Sequence, residues 1–223
     1  MKIIFALSLL FCSFLVMGQE KSNPMGHSHA NEHMHKSDFE SLVARFENPE
    51  RDRWQKPDLV VAMLGDLTGK TVMDLGSGTG YFTFRMFEAG ARVIAADVDE
   101  RFLSLVKEKQ ATMPRMAVGG VETRLVPYDS PSILPGELDI FFTVNTYHHI
   151  EDRVAYLKQV HQGLKSGGKA VIVDFFKADL PVGPPMDIKL SEEQVKAELL
   201  QAGFTDVRID TQSLFYQYII TAR

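Results

Sequence analysis

Apolar residues in this chain follow two rhythms. Short, nearly unbroken runs alternate with longer stretches where apolar positions recur every three or four residues. The runs are Val72 to Leu75, Val93 to Asp97, Asp139 to Asn145 and Ala170 to Asp174, and the more polar Val121 to Asp129 reads as a further strand ending in an acid. Runs of this kind predict strands buried on both faces of a sheet. Between them, Tyr81 to Ala89, Asp99 to Met113 and Asp152 to Leu164 carry helical spacing. Phe102, Leu103, Leu105 and Val106 fall on the inner face of the second. Gly90 closes the first helix and Gly167-Gly168 the third. Ser191-Glu192-Glu193-Gln194 caps a further helix that Gly203 ends. Val207 to Leu214 and Tyr216 to Thr221 predict a final antiparallel pair. Strands alternating with helices imply a parallel sheet with right-handed crossovers. The expectation is one α/β domain, doubly wound and Rossmann-like. Its seven-stranded sheet would be mostly parallel, with a terminal antiparallel hairpin.

Two helices are expected ahead of the first strand. Ser37-Asp38-Phe39-Glu40 reads as a capping box, followed by Phe39, Leu42, Val43 and Phe46 at helical spacing. Asn48-Pro49 ends that helix, and Pro57 opens a second from Asp58 to about Leu64. The polar run Arg51 to Lys56 lies between them and holds Trp54, the only tryptophan. A lone tryptophan most often packs a core. Ser130 to Glu137, with Pro131 and Pro135, leaves little room for a helix. Lys177 to Lys189, with Pro181, Pro184 and Pro185, reads as a loop.

The first strand leads into Asp74-Leu75-Gly76-Ser77-Gly78-Thr79-Gly80. Glycines belong where the backbone takes positive φ or meets a ligand with no side chain between. The helix starting near Tyr81 would aim its amides at that ligand. A nucleotide-like molecule is the expected occupant. Asp97, ending the second strand, can accept hydrogen bonds from both hydroxyls of a ribose. An acid at a strand end can instead cap the next helix, a use open to Asp97 or Asp99. Acids at the ends of three strands, Asp74, Asp97 and Asp129, fit a ligand site better than three caps.

The glycine run is D-x-G-x-G-x-G rather than the dinucleotide pattern G-x-G-x-x-G. It resembles motif I of the class I S-adenosylmethionine (SAM) dependent methyltransferases, in their small-molecule branch. The resemblance extends from this turn to the C-terminus. It implies SAM as cofactor, held by Asp74, Gly76, Ser77, Gly78, Gly80, Tyr81, Asp97, Val98, Asp129 and Asn145. Here Asp97 takes the place of the ribose acid and Asp129 that of the adenine-contacting acid. The N-terminal helices would cover the cleft, with Arg53, Gln55 or Lys56 meeting the cofactor carboxylate. Asn145-Thr146-Tyr147-His148-His149 resembles motif IV. His148 or His149 would remove a proton from the acceptor, since imidazole titrates near neutrality. Asp174 is the second choice of base, and Tyr147 a pocket wall. The implied reaction is in-line methyl transfer to a small-molecule acceptor. The competing reading is an exported, non-catalytic binding protein on the same fold.

The ends of the chain add location. Lys2 precedes an apolar run from Ile3 to Met17, broken only by Ser8 and Ser13. That run is short against the roughly 20 residues of a membrane span. It reads as a signal peptide, residues 1–18, cleaved before Gln19, with Val16 and Gly18 at the peptidase positions. The domain would then lie in a bacterial periplasm, or be anchored by an uncleaved signal. Residues 19–36 read as a polar linker with two H-x-H pairs, His27/His29 and His33/His35, able to bind a metal ion weakly. The methyltransferase domain would occupy residues 37–223, with no metal in its site. Cys12 is the single cysteine, so the remainder offers no disulfide or thiolate site. The net charge is −5. No block of five or more lysines and arginines occurs, which argues against a nucleic-acid partner.

Overall fold

The computed structural model describes Asn31, residues 38–113 and residues 120–223. The expectations for residues 1–18, for the four tail histidines and for Ser37 lie outside the described residues.

Strands β1 (Thr71–Leu75), β2 (Arg92–Asp97), β3 (Gly120–Leu125), β4 (Leu138–Val144), β5 (Leu164–Phe175), β6 (Arg208–Asp210) and β7 (Gln217–Ala222) form one seven-stranded sheet. Their order is β3-β2-β1-β4-β5-β7-β6. The first five strands pair in parallel, and β7 runs antiparallel to both β5 and β6. The expected doubly wound α/β architecture is what the chain adopts.

Among residues 38–70, three helices precede the sheet: α1 (Phe39–Phe46), α2 (Glu50–Gln55) and α3 (Pro57–Met63). Four others connect its strands: α4 (Tyr81–Glu88), α5 (Glu100–Thr112), α6 (Arg153–Gly163) and α7 (Glu192–Gln201). Successive side chains of a strand point to opposite faces, so β1 serves two cores. Met73 and Leu75 pack with Leu157 and Val160 of α6 and Val195 and Leu199 of α7. Val72 packs on the other face with Val60 of α3 and Phe82 and Met86 of α4. Burying each such side chain stabilises the fold by roughly 1.5–3 kcal/mol. Among the described residues, no helix is long and apolar enough to cross a membrane.

Several boundaries differ from the sequence reading. Asp38 caps α1, accepting from the Ser41 amide at 3.1 Å. The polar run before Pro57 is itself the short helix α2. Strand β3 stops at Leu125 rather than Asp129. Val126 donates one last bond to the Asp97 carbonyl at 3.0 Å, and Pro127 has no amide to continue the ladder. Helix α6 ends at Gly163, one residue before the expected Leu164, and Gly167-Gly168 lie within β5, which starts at Leu164 rather than Ala170. A Cβ at Gly163 would lie 2.3 Å from Ile133, so only glycine fits beneath that side chain. Strand β6 is only three residues long. Asp210 ends it by accepting from the amides of Gln212 and Ser213. The segments 130–137 and 177–189 hold neither helix nor strand, as expected.

The order of strands reverses between β1 and β4, because the chain builds outward to β3 and then returns. Open α/β sheets bind ligands outside the carboxyl ends of the strands at such a reversal. The glycine turn follows β1 and the Asn145–His149 segment follows β4, so the two flank that point.

Candidate active site

A cavity of about 1030 Å³ opens at the carboxyl ends of β1, β2, β4 and β5. Ligand pockets usually measure about 300–1,000 Å³, so this one has room for two molecules side by side.

The glycine turn forms its floor. Gly76 has φ of +72°, and a Cβ there would fall 2.1 Å from Thr146 Oγ1. Only a bare backbone lets the turn after β1 approach the loop after β4. Gly78 has φ of +51° and lies under the Phe46 ring, which a Cβ would meet at 3.3 Å. Gly80 turns away from the cavity, and a Cβ there would meet Phe84 of α4. Its role is to start that helix. Ser77 lines the cavity, and its Oγ is buried with no hydrogen-bond partner among the described residues. Buried polar atoms are almost always paired, so this hydroxyl marks a place for a ligand atom.

Asp97 is 7% exposed. Its Oδ2 accepts from the Gly78 amide at 2.9 Å and its Oδ1 from the Asp99 amide at 3.0 Å. Each oxygen keeps a lone pair for the cavity. Burial raises the Asp97 pKa to about 6, against the opposing pull of those amides. Burial also raises Asp74 to about 6; its hydrogen bond from Thr83 Oγ1, at 2.6 Å, works the other way. The cap of α5 is Asp99, not Asp97. Val98 stands at the lip, 39% exposed, and Tyr81 faces the cavity from α4. Asp129 does not line the cavity. With β3 ended at Leu125, the chain turns and presents Tyr128 instead.

Helices α1 and α2 roof this floor. Phe39 and Phe46 pack on Phe102 of α5 at 4.9 and 5.5 Å. Lys109 ties Glu47 to the Thr79 carbonyl at 2.9 and 3.0 Å. None of the three expected carboxylate ligands is a free buried cation. Gln55 is buried against Gln217 at 2.9 Å, Lys56 donates to the Ser213 carbonyl at 2.8 Å, and Arg53 pairs with Glu50 at the surface. Arg53 still lines the cavity, as do Arg45 and Arg101, but Arg51 is the cation set deepest among its aromatic residues. Its guanidinium lies 3.9 Å from the Tyr81 ring centre and donates to the Phe46 carbonyl. Burial lowers its pKa to about 10, with Tyr81 and Asp74 opposing, so it stays charged at neutral pH.

The wall after β4 holds the groups able to move a proton. Asn145 sits at φ of +57°, its carboxamide oxygen accepting from Gln217. His148 Nδ1 lies 2.9 and 3.0 Å from the two Asp174 oxygens. Both side chains are buried, at 4% and 3% exposure. Asp174 also accepts from the amides of His148 and Phe175, at 3.3 and 2.8 Å, which fixes its own orientation. With Nδ1 engaged, Nε2 is the nitrogen left for the cavity that His148 lines. A buried carboxylate holding an imidazole this way fixes its tautomer and stabilises the imidazolium once formed. His149 differs. Burial, aided by the neighbouring His148, pushes its pKa down to about 3. Its Nδ1 lies 3.0 Å from Asn31 Oδ1. Tyr147 leaves the site altogether, buried in the core with its hydroxyl donating to Glu198 at 2.7 Å.

The family described as methyltransferase domain matches residues 73–172, from the middle of β1 to the middle of β5. That stretch carries the glycine turn, Asp97 and His148. Residues 73–172 thus match a methyltransferase domain. It is similar to the demethylmenaquinone methyltransferase of Lactococcus lactis, 25% identical over 66% of this chain and 57% of that one. It is also similar to the tRNA U34 carboxymethyltransferase of Shewanella amazonensis, 30% identical over 75% of this chain and 54% of that one. The chain spans about half the length of the curated relatives it matches. Among solved structures, a SAM-dependent methyltransferase from Aquifex aeolicus superposes with a TM-score of 0.74 at 24% identity. The overlap covers 84% of this chain and 98% of that one, and shows the shared fold.

Two residues of the candidate site escape the sequence reading of roles. Arg51 lies in a polar run with no periodicity to orient it. Asp174 reads as a rival base to His148, because strand spacing alone does not reveal that the two side chains meet. Among the described residues, no group of three or more His, Cys, Asp or Glu could hold a metal ion.

Proposed function

We propose that the chain is a SAM-dependent methyltransferase acting on a small-molecule acceptor, with His148 as general base. The observation that carries this reading is the buried His148–Asp174 pair on the wall of the cavity floored by the glycine turn. A buried imidazole held by a carboxylate at the ligand wall suits proton transfer.

The residues present fit the cofactor. Ser77 Oγ is an unpartnered buried hydroxyl, and the bare backbone at Gly78 leaves space a side chain would fill. The free lone pairs of Asp97 suit the two ribose hydroxyls. Arg51 is placed to meet the carboxylate of the methionine part. When bound, SAM supplies a methyl group on a sulfonium, whose sulfur keeps the electron pair of the broken bond. The chain's own part is to hold both molecules, exclude water and take a proton. His148 Nε2 takes the acceptor's proton, and Asp174 stabilises the charge this leaves on the ring. Such general-base help contributes typically 10²–10⁴-fold in rate. His149, with its lowered pKa, is an inadequate base and serves instead to pack against His148.

The net charge of −5 and the absence of any basic block in the sequence favour a small acceptor over RNA. Residues 1–18 as a signal peptide, 19–36 as a linker and 37–223 as the enzyme domain remain our reading of the sequence, with export to the periplasm its consequence. Intact mass from the native cell checks it: a start at Gln19 is expected, and a soluble form retaining Met1 would overturn it.

The activity is tested with methyl-labelled SAM and the wild-type chain against a panel of small acceptors, beside His148→Gln. Label should pass to an acceptor with wild type and fall at least a hundredfold with the variant, while S-adenosylhomocysteine (SAH) binding persists. Equal transfer by both proteins would remove His148 from the mechanism.

A further inference from the structure

The acceptor half of the cavity has a chemistry of its own. Beyond His148 its wall is aromatic and apolar: Trp54 from α2, Phe175 from the end of β5, Phe215 and Tyr216 ahead of β7, and Val182 and Ile188 from the proline-rich loop. Trp54 lies 5.8 Å from Phe175 and 6.4 Å from Tyr216, ring centre to ring centre, at oblique angles. The loop sits close on Phe175, where a Cβ at Gly183 would come within 2.8 Å of the ring. The rings are therefore held in place. Phe215 is 66% exposed, an unusual cost for a phenylalanine, and it stands at the cavity mouth. Aromatic walls of this kind favour stacked or edge-on rings, worth about 0.5–1.5 kcal/mol beyond the area buried.

Aromatic walls also attract cations, so an amine and a neutral ring must be distinguished. Two lysines decide it. Lys56 Nζ lies 4.5 Å from the centre of the Phe215 ring, and Lys189 Nζ lies 6.0 Å from that of Phe175. The protein has already placed its own positive charge on these rings, and an ammonium ligand would be repelled. Asp174 lies behind this wall, committed to His148, and Glu50, which lines the cavity near Trp54, is paired with Arg53 at 3.0 Å. The same lysines favour a ligand on which negative charge develops.

We propose that this half of the cavity takes a flat aromatic molecule bearing an ionisable hydroxyl, a phenol in chemical class. This rests on the methyltransferase reading and names its acceptor. The phenolic proton passes to His148 Nε2, the O–H electron pair stays on oxygen as phenolate, and Asp174 balances the imidazolium. Phe215 and the proline-rich loop guide the ring in from solvent.

Three probes of matched skeleton test this by calorimetry on the full-length chain saturated with SAH. They are 2-naphthol, its saturated analogue decahydro-2-naphthol, and 2-naphthylmethylamine as its ammonium. The expected result is that 2-naphthol binds at least tenfold tighter than either of the others. Trp54→Leu should weaken it about tenfold while SAH still binds. Equal affinity for the saturated alcohol would overturn the aromatic requirement. Tightest binding of the ammonium would overturn the phenol in favour of an amine acceptor. If SAH binds but none of the three probes does, the acceptor class falls and the cofactor reading stands. If SAH itself does not bind, the underlying reading fails first, and the phenol with it.

Discussion

Lowering the pH should loosen the cofactor before it harms the fold, and Asp97 is the reason. Its carboxylate is buried, and burial raises its pKa to about 6. Only the ionised form offers lone pairs to two ribose hydroxyls while accepting from the amides of Gly78 and Asp99. At pH 7.5 nearly all of the free protein carries that form; at pH 5 about one tenth does. Affinity for SAH should therefore fall about tenfold between those values, or ~1.4 kcal/mol for one pK unit. The sign for folding is opposite. A carboxyl whose folded pKa is raised adds stability that is present below its unfolded pKa near 4. That stability is lost as pH rises through about 6. For Asp97 the full amount is about 3 kcal/mol. Protonation thus favours the free fold while weakening the complex, so the rise in melting temperature caused by SAH should shrink at low pH. Calorimetry at pH 5, 6 and 7.5 measures the effect. Asp74 titrates in the same range, so Asp97→Asn is run beside wild type; it should bind weakly with a nearly flat profile. A wild-type affinity that does not change with pH, or an unchanged slope in Asp97→Asn, would refute the assignment of the ribose to Asp97.

Other substitutions probe separate parts of the site. Gly76→Ala places a Cβ 2.1 Å from Thr146 Oγ1 at φ of +72°, and should cost about 2–5 kcal/mol in denaturant unfolding, from αL strain and overpacking together. A loss under 1 kcal/mol would mean that the two loops are not in close contact. Arg51→Met should weaken SAH by about 1.5–3 kcal/mol, the worth of a hydrogen bond to a charged group. It should leave 5′-methylthioadenosine, which lacks the amino-acid end, almost unaffected; equal losses for both ligands would remove Arg51 from the carboxylate. With any acceptor that is turned over, Asp174→Asn should lower the rate at least tenfold, and His149→Gln less than threefold. The reverse ranking would transfer the base to His149.

Most of the fold is legible in the sequence because buried parallel strands and amphipathic helices leave different rhythms. Val93 to Asp97 and Asp139 to Asn145 fall within a residue of the observed β2 and β4. The misses have local causes. Helix α2 shows no apolar stripe, because its buried member is Gln55, satisfied by a glutamine 162 residues away. Nothing in a polar run announces such a partner. The end of α6 falls one residue from the expected Leu164, but the Gly167-Gly168 pair read as its stop belongs to β5, which a glycine-rich run does not announce. In the site, Gly76, Ser77, Gly78, Asp97 and His148 are legible because the turn and the strand ends fix them. Asp129 was expected one turn too far along, since Pro127 ends the ladder before it. The difference between His148 and His149 is invisible in sequence. It arises from which ring hydrogen-bonds Asp174 and which is kept neutral by burial and the neighbouring imidazole.

The central claim is that the glycine turn holds SAM through bare backbone. Calorimetry with SAH on the full-length chain at pH 7.5 tests it most directly, with Gly78→Val as the partner experiment and a cooperative thermal melt to show that the variant is folded. The account predicts one binding site in wild type, shared competitively with SAM, and no measurable binding to the folded variant. Failure of wild type to bind either molecule, or undiminished binding by folded Gly78→Val, would contradict it.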